Sequence, residues 1–331
     1  MNLSDSHMQV LSCLLLLFSS VATTLFANAS KSSDGSYPYD TFIIPTLVET
    51  LKLICSSVVL IVMEISGNST KITLSAKRFV SFSLPALCYF VSNNCVFHII
   101  RLLGATNFQI LSNLKILCTA LLMRMILGRN VSWIRWKALG ILTLGSMVSQ
   151  ISCEQSAAGD SPLGYLLLLV YCMSSSAGGI ASEKLLKGKA VASADSIHWQ
   201  NFQLYAFGVA FGALTVMTHS NSELWKLGDY FHGMNAEAVA TVLCMTCSGL
   251  LVSYILKYLD NMVKCFVITG SMFLVALCSS FVKHEFPSMQ LTTGIVLCCL
   301  AVEQYYISGH ERTLPTRSGG TCDAPAFRLR T

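Results

Sequence analysis

Ten stretches of about twenty mostly apolar residues follow one another along the chain: 8–26, 42–63, 79–103, 106–127, 131–151, 162–186, 197–218, 235–257, 261–282 and 288–307. At about 1.5 Å rise per residue, each is long enough as a helix to cross a hydrocarbon core of roughly 30 Å. Only 12% of the 331 residues are charged and the mean hydropathy is +0.60, where a soluble domain carries about 25% charge. The sequence therefore predicts an all-α membrane protein with ten transmembrane helices. The first run, followed by Ala27-Asn28-Ala29, also has the form of a cleaved signal. No Lys or Arg precedes it, which favours the helix.

The basic residues fix an orientation. The connections after the second, fourth, sixth and eighth runs, with the C-terminal tail, carry fifteen of the 22 lysines and arginines. The other connections carry four, Lys31, Arg101, Lys226 and Lys283, while Lys52, Lys115 and Arg124 lie inside runs. By the positive-inside rule both termini are cytosolic. The connections are too short for a soluble catalytic domain, so function is expected within the transmembrane domain, 1–307, and 308–331 reads as a disordered cytosolic tail. The sequons at Asn2, Asn28, Asn68 and Asn130 are expected to stay unmodified, being cytosolic or against the first helix. Five runs per half, roughly 1–160 and 161–307, suggest an inverted duplication, because an odd number forces the second half in upside down. The segments 131–136 and 286–291, each after the fourth helix of its half, are the thin sequence support for it.

Polar residues inside the runs mark the candidate site. Lys115 stands near the middle of its run, where an ammonium costs at least about 2.5–3.5 kcal/mol, so it is expected to face a cavity and meet an anion. Phe108, Ser112, Lys115 and Thr119, at +4, +3, +4, form one helical stripe. We read it as the wall of a site for a phosphate-bearing ligand; the alternative is a lysine neutralised by Glu49. Glu49 and Lys52, one turn apart, are either a pair that fixes packing or part of a gate. Tyr89 and Asn93 share a face, as do Asn201, Tyr205, Gly208 and Gly212; an amide beside an aromatic ring suits a nucleobase, and equally ties helices together. The run Ser174 to Gly179 lets a helix or a ligand approach closely. Asp260 or Asn261 can cap the ninth helix, with Lys264 a turn inside as a second phosphate cation or a snorkelling lysine. His98 and Glu303 stand alone as expected packing or interface residues. All but Cys153 and Cys322 of the 14 cysteines fall in or beside apolar runs, and the Cys244/Cys247 pair has no partner at zinc spacing, so neither a disulfide framework nor a metal is expected. The scattered basic residues are no nucleic-acid signature. No nucleophile has a base at workable spacing, so the chain is not expected to be an enzyme.

With these residues placed, the chain resembles the nucleotide-sugar transporter family, in its CMP-sialic acid and UDP-galactose branch, over 37–307. The resemblance is carried by Tyr89-x3-Asn93-Asn94, by Phe108-Gln109-x5-Lys115-x3-Thr119-Ala120-Leu121, and by Glu183-Lys184-Leu185-Leu186-Lys187. It is also carried by Asn201-Phe202-Gln203-Leu204 and by Lys257-Tyr258-x-Asp260-Asn261-x2-Lys264. Tyr37-Pro38-Tyr39-Asp40 is similar to plant members. The resemblance implies the drug/metabolite transporter fold, with ten helices in two inverted five-helix repeats. It further implies a Golgi membrane location and exchange of a cytosolic pyrimidine nucleotide sugar for a lumenal nucleoside monophosphate, with no cofactor. Tyr89, Asn93, Asn201 and Tyr205 would hold the nucleotide and Lys115 and Lys264 its phosphates, with Phe108, Thr119 and Gly179 in the same wall. Glu49, Lys52 and Lys257 would serve as gate or pathway. Four positions depart from the family pattern: Phe108 stands for Tyr, Asn113 and Ser182 for aromatics, and Cys265 for Gly. The expected partners are the nucleotide ligands and the lipid bilayer, with a homodimer left open. The alternatives are transport of another organic anion, or a non-transporting Golgi scaffold for glycosyltransferases.

Overall fold

The computed structural model describes residues 3–32, 37–41, 43–67, 72, 75–150, 161–188, 195–219, 233–282, 284 and 286–310. Among them lie twelve helices and no strand: α1 (Leu3–Ala29), α2 (Ile43–Ile65), α3 (Ala76–Ser81), α4 (Ser83–Leu103), α5 (Ala105–Ser112), α6 (Lys115–Leu127), α7 (Trp133–Val148), α8 (Pro162–Lys187), α9 (Ile197–His219), α10 (Ala236–Tyr258), α11 (Asn261–Val282) and α12 (Met289–His310). The sequence explains their starts. Ser132, Asn235, Asp260 and Ser288 each accept a hydrogen bond from a backbone N–H three residues on, and Pro162 opens α8 where no donor is needed. Gly128, with φ +66°, ends α6 in the left-handed region. Hydroxyls within the helices are satisfied by the preceding turn, as in Ser57 to the Leu53 carbonyl (2.7 Å) and Thr143 to that of Leu139 (2.8 Å).

By length and composition, seven stretches of the described residues can cross a membrane: His7–Ala29, Ile43–Ile65, Ala76–Leu103, Asn107–Leu127, Pro162–Lys187, Ala236–Tyr258 and Asn261–Val282. The chain is a multi-pass helical membrane protein. Of the remaining long helices, α7 has only 16 residues, and α9 and α12 carry polar residues such as Gln200, Asn201, Gln290 and Glu303. The run expected as one helix over 106–127 is two, because α5 and α6 are separated at Asn113 and Leu114. The backbone tightens there to three-residue spacing, and the buried Asn113 amide donates to the carbonyls of Gln109 and Ile110, both at 3.2 Å. The last helix continues past 307 to His310, and 311–331 lie outside the described residues, as do Asn2, Asn68 and Cys153.

α4 runs along α8, and α1 along α10; α6 packs on α8, and α1 on α11; α4 touches α9, and α2 touches α10; α2 pairs with α9, and α7 with α12. The α7–α12 crossing is made by two glycines. A Cβ at Gly294 would lie 2.6 Å from the Gly145 carbonyl oxygen, and one at Gly145 would lie 2.9 Å from Leu297 Cβ. The largest apolar cluster fills the space between α6, α7, α11 and α12 around Ile116, Leu139, Met262 and Leu291.

Candidate functional site

Two cavities open inside the bundle. The first, of about 290 Å³, is walled by α2, α4, α9 and α10, with Ser182 of α8 and Lys264 and Ile268 of α11. The second, of about 660 Å³, lies between α1, α5, α6, α8 and α11. Lys264 and Ile268 line both.

In the first cavity Lys52 Nζ donates to Glu49 Oε1 at 2.5 Å and lies 4.6 Å from the centre of the Tyr205 ring. The Tyr205 hydroxyl meets Ser253 Oγ at 2.7 Å. Glycines make this packing fit. A Cβ at Gly208 would lie 2.7 Å from Glu49 Oε2, one at Gly249 would lie 2.6 Å from Lys52 Cδ, and one at Gly178 would lie 3.1 Å from the Tyr89 ring. The Glu49–Lys52 pair therefore spends its charge within itself, and Glu49 is not the partner of Lys115. Tyr89, Asn93 and Asn94 present one ring and two amides from α4.

The second cavity combines apolar residues such as Ile116, Met272 and Phe273 with many hydroxyls and amides: Ser20, Thr23 and Thr24 of α1, Ser112, Asn113 and Thr119, Ser149 and Gln150, Ser175 and Ser176, Ser248 and Thr269. Lys115, at the start of α6, stands among them. Thr119 Oγ1 donates to Ser176 Oγ at 3.0 Å, and Ser176 Oγ to the Lys115 carbonyl at 3.0 Å, which ties that helix end to α8. Among the described residues neither Lys115 nor Lys264 has a carboxylate partner. The two cavities thus share an excess of two positive charges.

The structure does not bring every sequence-predicted residue to these walls. Tyr89, Asn93, Tyr205, Glu49 and Lys52 line the first cavity, Lys115 and Thr119 the second, and Lys264 both. Gly179 sits beneath Asn261 and Lys264, whose side-chain ends would lie 2.8 Å and 3.0 Å from a Cβ there. Asn201 is buried behind the wall on α9, with no partner for its side-chain oxygen among the described residues. Phe108 leaves the Lys115 stripe because of the tightened backbone at 113–114, and packs edge-on against Tyr171, ring centres 5.2 Å apart. Lys257 reaches neither cavity and donates to the Asp195 carbonyl at 2.9 Å. Asp260 rather than Asn261 caps α11. His98 and Glu303 are exposed on the outer surface and do not pack in the bundle.

Sequence reasoning missed the ionic clusters at the ends of these helices. The Glu183 side chain, fully buried, accepts from Arg129 Nη1 (2.9 Å), Lys187 Nζ (2.8 Å) and the Asn261 amide (3.0 Å). Asp195, also buried, pairs with Arg78. The Glu183–Lys187 pair is local, one turn apart, but the Arg129 and Arg78 partners come from connections far away in sequence and are not visible as a local motif.

The described residues thus form a multi-pass, all-helical membrane protein with a cationic cavity between its helices. The comparisons make the class specific. The profile of the nucleotide-sugar transporter family matches residues 4–306, and the chain belongs to that family. It is 33% identical to CMP-sialic acid transporter 1 of Arabidopsis thaliana, over 91% of this chain and 89% of the relative. A UDP-N-acetylglucosamine/UDP-N-acetylgalactosamine transporter of Caenorhabditis elegans is 26% identical, over 94% and 96% of the two chains. One crystal structure superposes with a TM-score of 0.68 at 13% identity, covering 93% of this chain and 99% of the other, a likeness of fold alone.

Proposed function

We propose that the protein is a Golgi antiporter that exchanges a cytosolic pyrimidine nucleotide sugar for a lumenal nucleoside monophosphate. The observation that carries this reading is the pair of cavities with Lys264 in the wall of both and two lysines that no carboxylate among the described residues neutralises. The aromatic and amide groups of the first cavity suit a base, the hydroxyls of the second suit a sugar, and the lysines suit the phosphate charge. Relatives named for cytidine and uridine nucleotides share the pyrimidine ring.

The ten apolar runs are taken as ten spans with both termini cytosolic, α3–α4 and α5–α6 each counting as one. The packing supports two inverted halves. Exchanging the first five spans for the last five turns the α4–α8 contact into α10–α1, α6–α8 into α11–α1, and α4–α9 into α10–α2, while α2–α9 and α7–α12 map onto themselves. Lys115 and Lys264 then stand on equivalent spans, facing one midplane site about which the halves rock. Exchange follows from the charges. A pocket with two ammonium groups that no carboxylate among the described residues pairs is costly when empty, so the occupied carrier reorients more easily than the empty one.

A competition series of nucleoside monophosphates, read by thermal stabilisation of the purified protein, tests the reading without requiring the right sugar. Stabilisation by UMP or CMP above that by AMP or GMP is expected. Equal stabilisation by inorganic phosphate favours another organic anion, and no stabilisation by any of them favours the scaffold.

A further inference from the structure

Two buried carboxylates, Glu183 and Asp195, sit at the end of the bundle where α6, α8 and α10 finish and α3, α9 and α11 begin. Each pairs with an arginine from the other half of the chain. Glu183 near the end of α8 and Asp195 just before α9 belong to the second half, whereas Arg129 follows α6 and Arg78 stands in the short α3 of the first. By the distribution of basic residues among the connections this end is the cytosolic one. We propose that the Arg129–Glu183 and Arg78–Asp195 pairs are the cytosolic gate of the carrier: they latch the two halves together at that end and part when it opens.

The Arg129 pair is built so that it can part. Glu183 also accepts from Lys187 Nζ at 2.8 Å and from the Asn261 N–H at 3.0 Å, both in its own half. When Arg129 leaves, Glu183 keeps these two donors, and the guanidinium, already 42% exposed, passes to water. No buried charge is stranded, and stranding is what makes breaking a buried ion pair costly. The same cluster is joined to the anion site. Glu183 holds the first N–H of α11, Lys187 donates to the Leu259 carbonyl just before it, and Lys264, in the wall of both cavities, stands one turn further along that helix. The second cavity extends away from the clusters. Thr23 and Thr24 in the last two turns of α1, Gln109 of α5, and Ser149 and Gln150 just past α7 carry its wall toward the opposite end of the bundle. Halves that rock about a midplane site close one end as the other opens, and the ionic pairs lie where such a closure is needed.

The gate rests on the exchange proposed above, and one of its two tests is independent of transport. Cys265, next to Lys264 and buried in the wall of the second cavity, is a native reporter one turn inside the gate. Sealed vesicles holding the full-length protein receive a membrane-impermeant maleimide on the cytosolic face, and its addition to Cys265 is followed by mass spectrometry. Arg129→Gln, which leaves Glu183 two donors, is expected to speed this labelling at least about fivefold by shifting the population toward the open form. Labelling of the folded variant at the wild-type rate overturns the inference. In the second test, Arg78→Cys/Asp195→Cys protein in liposomes preloaded with UMP is cross-linked by a reducible bifunctional thiol reagent, beside wild type treated alike. Uptake of labelled UDP- and CMP-sugars is expected to be lost on cross-linking and regained on reduction, whereas a static clip would tolerate the link. Cross-linked protein that transports as before overturns the gate. If one variant fails to fold, the other test decides. Wild-type protein that takes up no nucleotide sugar while Arg129→Gln still unmasks Cys265 overturns the exchange and supports the gate.

Discussion

Replacing Lys264 with glutamine removes the cation common to both cavities. Because no carboxylate among the described residues pairs with it, the change strands no buried anion, and the fold should keep its stability. The ammonium lies close over Gly179, 3.0 Å from where a Cβ would stand, so the shorter amide also meets no clash. What is lost is one hydrogen bond to a charged phosphate, about 1.5–3 kcal/mol. At 1.4 kcal/mol per factor of ten, UMP or CMP should bind about 10- to 100-fold more weakly. Arginine should rescue poorly, since its planar fork needs room that the wall formed by Gly179 and Asn261 does not leave. The assay is calorimetric titration of detergent-purified protein, with the melting temperature recorded for each variant. A Lys264→Gln protein of normal melting temperature that binds either monophosphate within about twofold of wild type would refute the argument, since a lost contact of that kind cannot be so weak in a dehydrated pocket.

Four further outcomes are expected. Glu183→Gln should lower thermal stability by about 1–3 kcal/mol, seen as an earlier melt, because the amide cannot accept together from Arg129, Lys187 and the Asn261 N–H. Gly294→Val should destabilise by more than about 1 kcal/mol or reduce the folded yield on size exclusion, since its first carbon already meets the Gly145 carbonyl at 2.6 Å. Tyr205→Phe should lose the Ser253 contact and the long one to the Gly249 carbonyl, about 0.5–1.5 kcal/mol in a denaturation midpoint, while keeping the ring beneath Lys52. Epitope tags at both ends should be reached by antibody after selective permeabilisation of the plasma membrane; protection of either tag would contradict the assigned orientation.

The apolar runs and the charged and amide residues of the cavity walls were legible in the sequence for a simple reason. Charge and amide are so costly at membrane depth that each such residue inside a run points to a pathway or a partner, as Lys115, Glu49, Lys52 and Asn93 did. Of the stripe Asn201, Tyr205, Gly208 and Gly212 given by helical spacing, the last three line the first cavity and Asn201 lies buried behind it. Spacing failed where the helix is not regular. The three-residue turn at Asn113, set by a side chain that captures backbone carbonyls, carried Phe108 off the Lys115 face. Contacts between distant helices were out of reach altogether. Nothing in the sequence around Glu183 announces Arg129 and Asn261, because those pairs exist only once α6, α8 and α11 have packed.

The central claim is exchange through the cationic cavity, and transport itself tests it most directly. Purified protein is reconstituted into liposomes that are either empty or preloaded with UMP or CMP, and uptake of labelled UDP- and CMP-sugars is followed. The account predicts uptake that is several-fold faster into preloaded vesicles and lost with Lys264→Gln. Uptake indifferent to preloading, or undiminished in the glutamine variant, would contradict it.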